Sequence, residues 1–153
     1  MKLLRIYLDT SVIGGCHDRE FAADSEKLIG YIRSGKAKII VSEILLSELD
    51  KASDAIRSIL TSIPPEHVET FSIDKEVAEL RNAYIQAGIV GKNSLDDAFH
   101  VAAATIARVD AIVSWNFMHI VRLDKIKAYN QVNLSMGYGI LIIISPKEVL
   151  FDD

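Results

Sequence analysis

The sequence predicts an α/β domain with a mainly parallel sheet covered by helices on both faces. Two observations predict it. Short, almost uninterrupted apolar runs recur along the chain, and helical patterns separate them. Strands buried on both faces read as continuous apolar runs, and parallel neighbours need crossovers that are usually helical. A third observation sets the scale. The 153 residues, half hydrophobic and a quarter charged, suit one domain with a real core. No repeat or Gly/Ser-rich linker divides residues 1–153, and Ile63-Pro64-Pro65-Glu66 reads as a loop inside that domain.

Taken in order, Leu3–Leu8 is the first strand. Asp24–Arg33 is a helix that ends near Gly35, and Ala37–Val41 is the second strand. Ser42 can cap a helix starting at Glu43, and another helix covers Ser53–Leu60. Val68–Phe71 is a short strand, Asp74–Ala87 a helix stopped by Gly88, and Ser94–Arg108 an alanine-rich helix. Ala111–Ser114 is a strand, Asp124–Met136 a helix, and Ile140–Ile144 the last strand. In such sheets ligands sit beyond the carboxyl ends of the strands, so the residues that follow each strand carry the functional information.

Composition removes several classes. One cysteine, Cys16, allows no intramolecular disulfide, which suits a reducing cytoplasm. The opening MKLLRIYLDTS is too short and too charged for a signal peptide, and Ile140–Ile144 is far too short to span a bilayer. The net charge of −4 is wrong for a protein that coats nucleic acid, so any nucleic-acid partner must be held by a local patch or a metal. There is no P-loop, no Gly-x-Ser-x-Gly elbow and no zinc-ligand spacing. Ser11 stands where a haloacid-dehalogenase-type phosphatase would need its second aspartate.

The acids then stand out. Asp9 directly follows the first strand, Glu48 lies in the helix after the second, and Asp97 opens the alanine-rich helix. Each has a local explanation. Asp9 can cap a turn, Glu48 can pair with Lys51, and Asp97 can complete a capping box with Ser94. Asp96 is then a solvent-facing neighbour or a helper, and Asn116, just past a strand, reads as a turn residue. Together, however, the acids fall at one end of the sheet. Carboxylates gathered there resist joint ionisation, and a hard divalent cation with oxygen ligands relieves this. Such ions catalyse phosphodiester cleavage.

At these positions the chain resembles PIN domains, and within them the VapC-like toxins. Tyr7-Leu8-Asp9-Thr10-Ser11-Val12-Ile13 is similar to their opening motif. Ser42 to Leu49 resembles the second motif, and Asp97-Ala98-Phe99-His100-Val101-Ala102-Ala103-Ala104 the third. Val113-Ser114-Trp115-Asn116-Phe117 stands at the fourth. The resemblance implies a three-layer α/β/α sandwich, usually a homodimer, with Mg²⁺- or Mn²⁺-dependent ribonuclease activity and an antitoxin protein as partner. It makes Asp9, Glu48 and Asp97 the metal-site acids and catalytic residues, and Ser11 a supporting hydroxyl. Asn116 is the fourth catalytic-site residue, its amide oxygen able to ligate or orient a metal-bound water, but it departs from the aspartate common at the fourth motif, which leaves open a binding module that no longer cleaves. His100 and His119 are placed to contact substrate or to serve a structural role.

Overall fold

The computed structural model describes residues 3–149; the expectations for residues 1–2 and 150–153 lie outside them. Five parallel strands form one sheet. They are β1 (Leu4–Leu8), β2 (Ala37–Ser42), β3 (Val68–Phe71), β4 (Ala111–Val113) and β5 (Ile143–Ile144), in the spatial order β3-β2-β1-β4-β5. Among the described residues, seven α-helices cover it: α1 (Thr10–Gly15), α2 (Ala22–Arg33), α3 (Glu43–Asp50), α4 (Asp54–Thr61), α5 (Lys75–Gln86), α6 (Leu95–Ile106) and α7 (Leu123–Ser135). The result is the expected α/β/α sandwich.

Strand alternation divides the core in two. Ile6, Leu8, Ile39 and Val41 turn to one face and pack with α1, α2 and the Leu45–Leu49 side of α3. Tyr7, Ile40 and Ile112 turn to the other and pack with α5, α6 and α7. The alanines of α6 (Ala98, Ala102, Ala103 and Ala104) are fully buried, which lets this helix lie close to the sheet. Its first turn is thereby brought to the carboxyl end of the strands.

Two elements differ from expectation. The segment Thr10–Gly15 is a helix, although two glycines and three β-branched residues disfavour one. Burial overrides propensity there, because Val12 and Ile13 are inaccessible. A Cβ on Gly15 would lie 2.6 Å from Ser25 Oγ and 3.0 Å from Trp115 Nε1, so only glycine admits this contact. The last strand is also shorter than Ile140–Ile144. Asn130 donates from its amide to the Leu141 carbonyl (3.1 Å) and accepts from the Leu141 N–H (2.7 Å). A side chain thus satisfies backbone groups that a strand would have paired.

Chain order creates a crevice. From β1 the chain moves outward through β2 and β3, then returns to place β4 on the other side of β1. The carboxyl ends of β1 and β4 flank this reversal, where open parallel sheets bind ligands.

Candidate active site

Asp9 emerges at the end of β1 and is only 4% exposed. It occupies the N-cap position of α1 but makes no side-chain capping bond. Its carboxylate instead accepts from Ser11 Oγ (2.5 Å, on Oδ1) and Ser114 Oγ (2.6 Å, on Oδ2). Each serine is itself anchored by a backbone N–H, Trp115 N on Ser11 (2.9 Å) and Asn116 N on Ser114 (2.9 Å). The end of β4 and the start of α1 therefore hold Asp9 in one orientation. Burial pushes its carboxyl above the ordinary range, against the pull of His100 and the two serines, and the nearby Glu48 charge pushes the same way.

Asp97 lies in the first turn of α6. Ser94 is at the N-cap without a side-chain bond, so there is no capping box. Burial raises the Asp97 carboxyl, and the Asp9 charge adds to the rise; His119, Asn116 and His100 act the other way. Asn116 serves two roles. Its side chain lowers the Asp97 carboxyl as a polar neighbour, while its Oδ1 accepts from Met118 N (3.2 Å) and His119 N (2.9 Å) to shape the turn after β4. With Oδ1 on the turn, the polar group that Asn116 has left to offer is its NH₂ donor. A carboxylate at position 116 would replace that donor with a second negative charge.

Glu48 does not pair with Lys51. Its Oε1 accepts from Thr10 Oγ1 (2.6 Å) and lies 2.6 Å from His100 Nε2. His100 is 2% exposed, and its Nδ1 lies 2.6 Å from Tyr7 Oη, which lies 2.7 Å from Ser42 Oγ. Ser42 also accepts the Leu45 N–H, the capping bond expected of it. One chain of contacts gives every group a partner: Ser42 with Tyr7, Tyr7 with His100 Nδ1, and His100 Nε2–H donating to Glu48. Burial opposes the shift of Glu48, but its bonds to His100 and Thr10 and the His100 charge hold its carboxyl below the usual range. Burial likewise opposes His100, but Glu48, Asp9 and Asp97 hold its imidazole above its ordinary value.

The structure thus brings Asp9, Asp97, Asn116, Ser11, His100 and Glu48 to one end of the sheet. His100 is directed to Glu48 and Tyr7 from below the surface. Asp96 is exposed and lines a groove with Glu48. His119 lies close enough to Asp97 to lower its carboxyl, and its buried Nδ1 has no partner among the described residues. Sequence reasoning passed over Thr10, Ser114 and Tyr7. Thr10 and Tyr7 flank Asp9 in the first motif and Ser114 lies in the fourth, so adjacency was the available signal.

The donor set can be weighed against a divalent cation. Among the described residues, no group of three or more His, Cys, Asp or Glu side chains is arranged to hold a metal. Glu48 is engaged by His100 and Thr10 instead of joining the aspartates. Asp9 and Asp97, however, are two electrostatically coupled carboxylates with raised values. Mg²⁺ asks for no more, since it commonly binds through one or two carboxylates and keeps several waters.

No protein-family model matches the chain, and no curated protein matches it by sequence. Solved structures do match in fold. One is VapBC2 from Rickettsia felis bound to a DNA fragment from its promoter, with TM-score 0.56 and 16% identity over 93% of this chain and 98% of that one. Another is FitAcB from Neisseria gonorrhoeae, with TM-score 0.52 and 13% identity over 94% and 99%. A third is VapC20 from Mycobacterium tuberculosis, a toxin that cleaves the sarcin-ricin loop, with TM-score 0.51 and 14% identity over 74% and 92%. The fold is therefore PIN/VapC-like.

Proposed function

We propose that this PIN/VapC-like chain is one catalytic domain, a Mg²⁺- or Mn²⁺-dependent endoribonuclease that acts as the toxin of a toxin–antitoxin pair in the cytoplasm. The observation that carries the reading is the Asp9–Asp97 pair. The Asp9 carboxylate is buried and the Asp97 carboxylate half-buried at the sheet reversal, where both resist ionisation and the Asp9 charge adds to the rise of Asp97. A cleft that bears this cost is explained by a cation that removes it.

Asp9 and Asp97 would hold the ion, which supplies positive charge to the scissile phosphate. Ser11 and Ser114 keep Asp9 in place, and Asn116 orients Asp97. Glu48 is the general base. Its Oε1 is committed to Thr10 and His100, leaving Oε2 to take the proton of the attacking water. As the water oxygen bonds to phosphorus, the bond to the leaving ribose oxygen breaks, and that oxygen takes its proton from solvent water. His100 and Tyr7 act through Glu48 by fixing its carboxylate.

The direct test is incubation of purified protein with structured RNA, with Mn²⁺ or Mg²⁺ and with chelator. Cleavage that needs the metal and is absent in Asp9→Asn is the expected result. RNA cut equally well in chelator, or not at all under any metal, would leave a binding module as the better reading. The engagement of Glu48 by His100 and the amide at position 116 favour that second reading.

An acidic cleft that holds a cation also receives a guanidinium, which matches carboxylates in a two-pronged geometry. The antitoxin is therefore expected to place an Arg or Lys near Asp9 and Asp97 and to compete with Mn²⁺. Titration of the cognate partner with and without Mn²⁺ checks this; equal affinities would put the contact elsewhere. A two-fold homodimer is also expected. Leu134 and Met136 at the end of α7 and Ile140 and Ile142 just before β5 are exposed, and a closed pair would cover such side chains. Light scattering that returns only the monomer mass at micromolar concentration would count against pairing.

No helix of the described residues is long and apolar enough to cross a membrane.

A further inference from the structure

A groove of about 460 Å³ runs beside the acid site, between α3 and α6, and Glu48 belongs to both. Its walls set the apolar Ile44, Ile73 and Phe99 beside Ser47 and the carboxylates of Glu43, Glu48 and Asp96. The Phe99 ring is braced by the Arg81 guanidinium, 4.1 Å from its centroid. Glu43 stands at the wall with its carboxylate fixed, because Oε1 accepts the Ile73 N–H at 3.1 Å. Its Oε2 carries no bond among the described residues. Lys51 is the one basic residue of the lining.

We propose that this groove is a nucleobase subsite that takes an unpaired guanine next to the cleaved phosphate. The inference rests on the ribonuclease reading above. Because Glu48 lines both spaces, an occupant of the groove is contiguous with the phosphate at Asp9 and Asp97. The volume falls within the range of pockets for small organic groups. A chain of net charge −4 gains little from a global field on RNA, so its hold must come from base contacts, the usual means of reading unpaired RNA. The chemistry then selects the base. An ionised carboxylate only accepts hydrogen bonds. Guanine alone offers two adjacent donors, N1–H and the 2-amino group, on its Watson–Crick edge. Adenine and cytosine pair one donor with an acceptor, and uracil sets its one donor between two carbonyls. Lys51 is placed to meet a flanking phosphate.

The test uses end-labelled five-nucleotide RNAs, uridine throughout except for a central G, A, C or U, with anisotropy read in chelator so that no metal contributes. The G-centred RNA is expected to bind about tenfold tighter than the others, the discrimination that a two-pronged base contact gives. Glu43→Gln keeps the acceptor for the Ile73 N–H but loses one of the two base contacts, and should bring the four affinities to within about twofold. Ser47→Trp, an exposed residue of the same groove, should weaken all four. Equal binding of the four RNAs by the parent protein, or a guanine preference that survives Glu43→Gln, overturns the subsite. Metal-dependent cutting of a random-sequence RNA with no guanine beside the cut also overturns it and leaves the nuclease standing. Guanine-selective binding without metal-dependent cutting keeps the subsite and overturns the nuclease.

Discussion

Asp97→Asn is expected to abolish the thermal stabilisation by Mn²⁺ while leaving the metal-free protein at least as stable as the parent. The two effects come from one carboxylate. In the parent, a hundredfold excess of ion over its Kd should add about 2.7 kcal/mol, which in a domain of this size is a rise of several degrees in Tm. The substitution removes one of the two charges that attract the ion. Without metal the sign reverses. Burial, with the Asp9 charge, lifts the Asp97 carboxyl above its ordinary value. A group raised in the folded state favours folding at low pH, and that contribution is lost as pH rises through the folded value. At neutral pH the charged Asp97 is therefore a cost, and the amide, which can still accept from Asn116, removes it. Cleavage should fall by at least about a hundredfold, since even partners that only orient metal ligands are worth tenfold to a hundredfold. Differential scanning fluorimetry in chelator and in Mn²⁺ reads both terms. A lower Tm in chelator would make Asp97 structural, and an undiminished Mn²⁺ response would remove it from the site.

His100→Leu carries the second large effect, on stability. The side chain is 2% exposed and joins Tyr7 to Glu48 by contacts of 2.6 Å on each ring nitrogen. Leucine leaves the Tyr7 hydroxyl without its acceptor and Glu48 without a donor, a loss of about 1–3 kcal/mol. The loss should depend on pH. The His100 imidazole is raised from 6.5, because Glu48 and the aspartates outweigh burial. Its charged pairing favours folding below about pH 6.5 and fades as pH rises through the raised value. The Glu48 carboxyl is lowered from 4.5, because His100 and Thr10 outweigh burial. Its contribution is present above about pH 4.5 and fades as pH falls through the lowered value. Parent and variant should therefore differ most between those limits. Urea unfolding at pH 5.5 and pH 8.5 measures the gap, and His100→Gln, which keeps a donor for Glu48, should recover part of it. A gap that does not change with pH would mean that the charge pairing contributes nothing and only packing was lost.

The same residues show what sequence makes legible. Asp9, Glu48 and Asp97 were identifiable because each follows a strand or opens a buried helix, and both kinds of position can be read from local pattern. Their partners were not. Glu48 and His100 are 52 residues apart, and Ser114 reaches Asp9 across 105. Read locally, Glu48 pairs with Lys51, Asp97 with Ser94, and Asp9 caps a helix. None of these bonds forms, because partners at the end of the sheet, most of them distant in the chain, replace them. Helix α1 was hidden for a related reason. Propensity is a local quantity, and the burial of Val12 and Ile13 that overrides it is not.

The sequence by itself determined the α/β class, the strands and most helices, and the end of the sheet where chemistry is placed. Those features follow from apolar periodicity, and periodicity is written residue by residue. Only the tertiary structure decided that Asp9 is held by Ser11 and Ser114, that Asn116 comes to act on Asp97, and that Glu48 answers to His100 instead of the aspartates. A hydrogen bond or a shift in ionisation depends on separations of a few ångströms between groups distant in the chain. Those separations exist only once β4 has returned beside β1 and the alanine face of α6 has settled on the sheet.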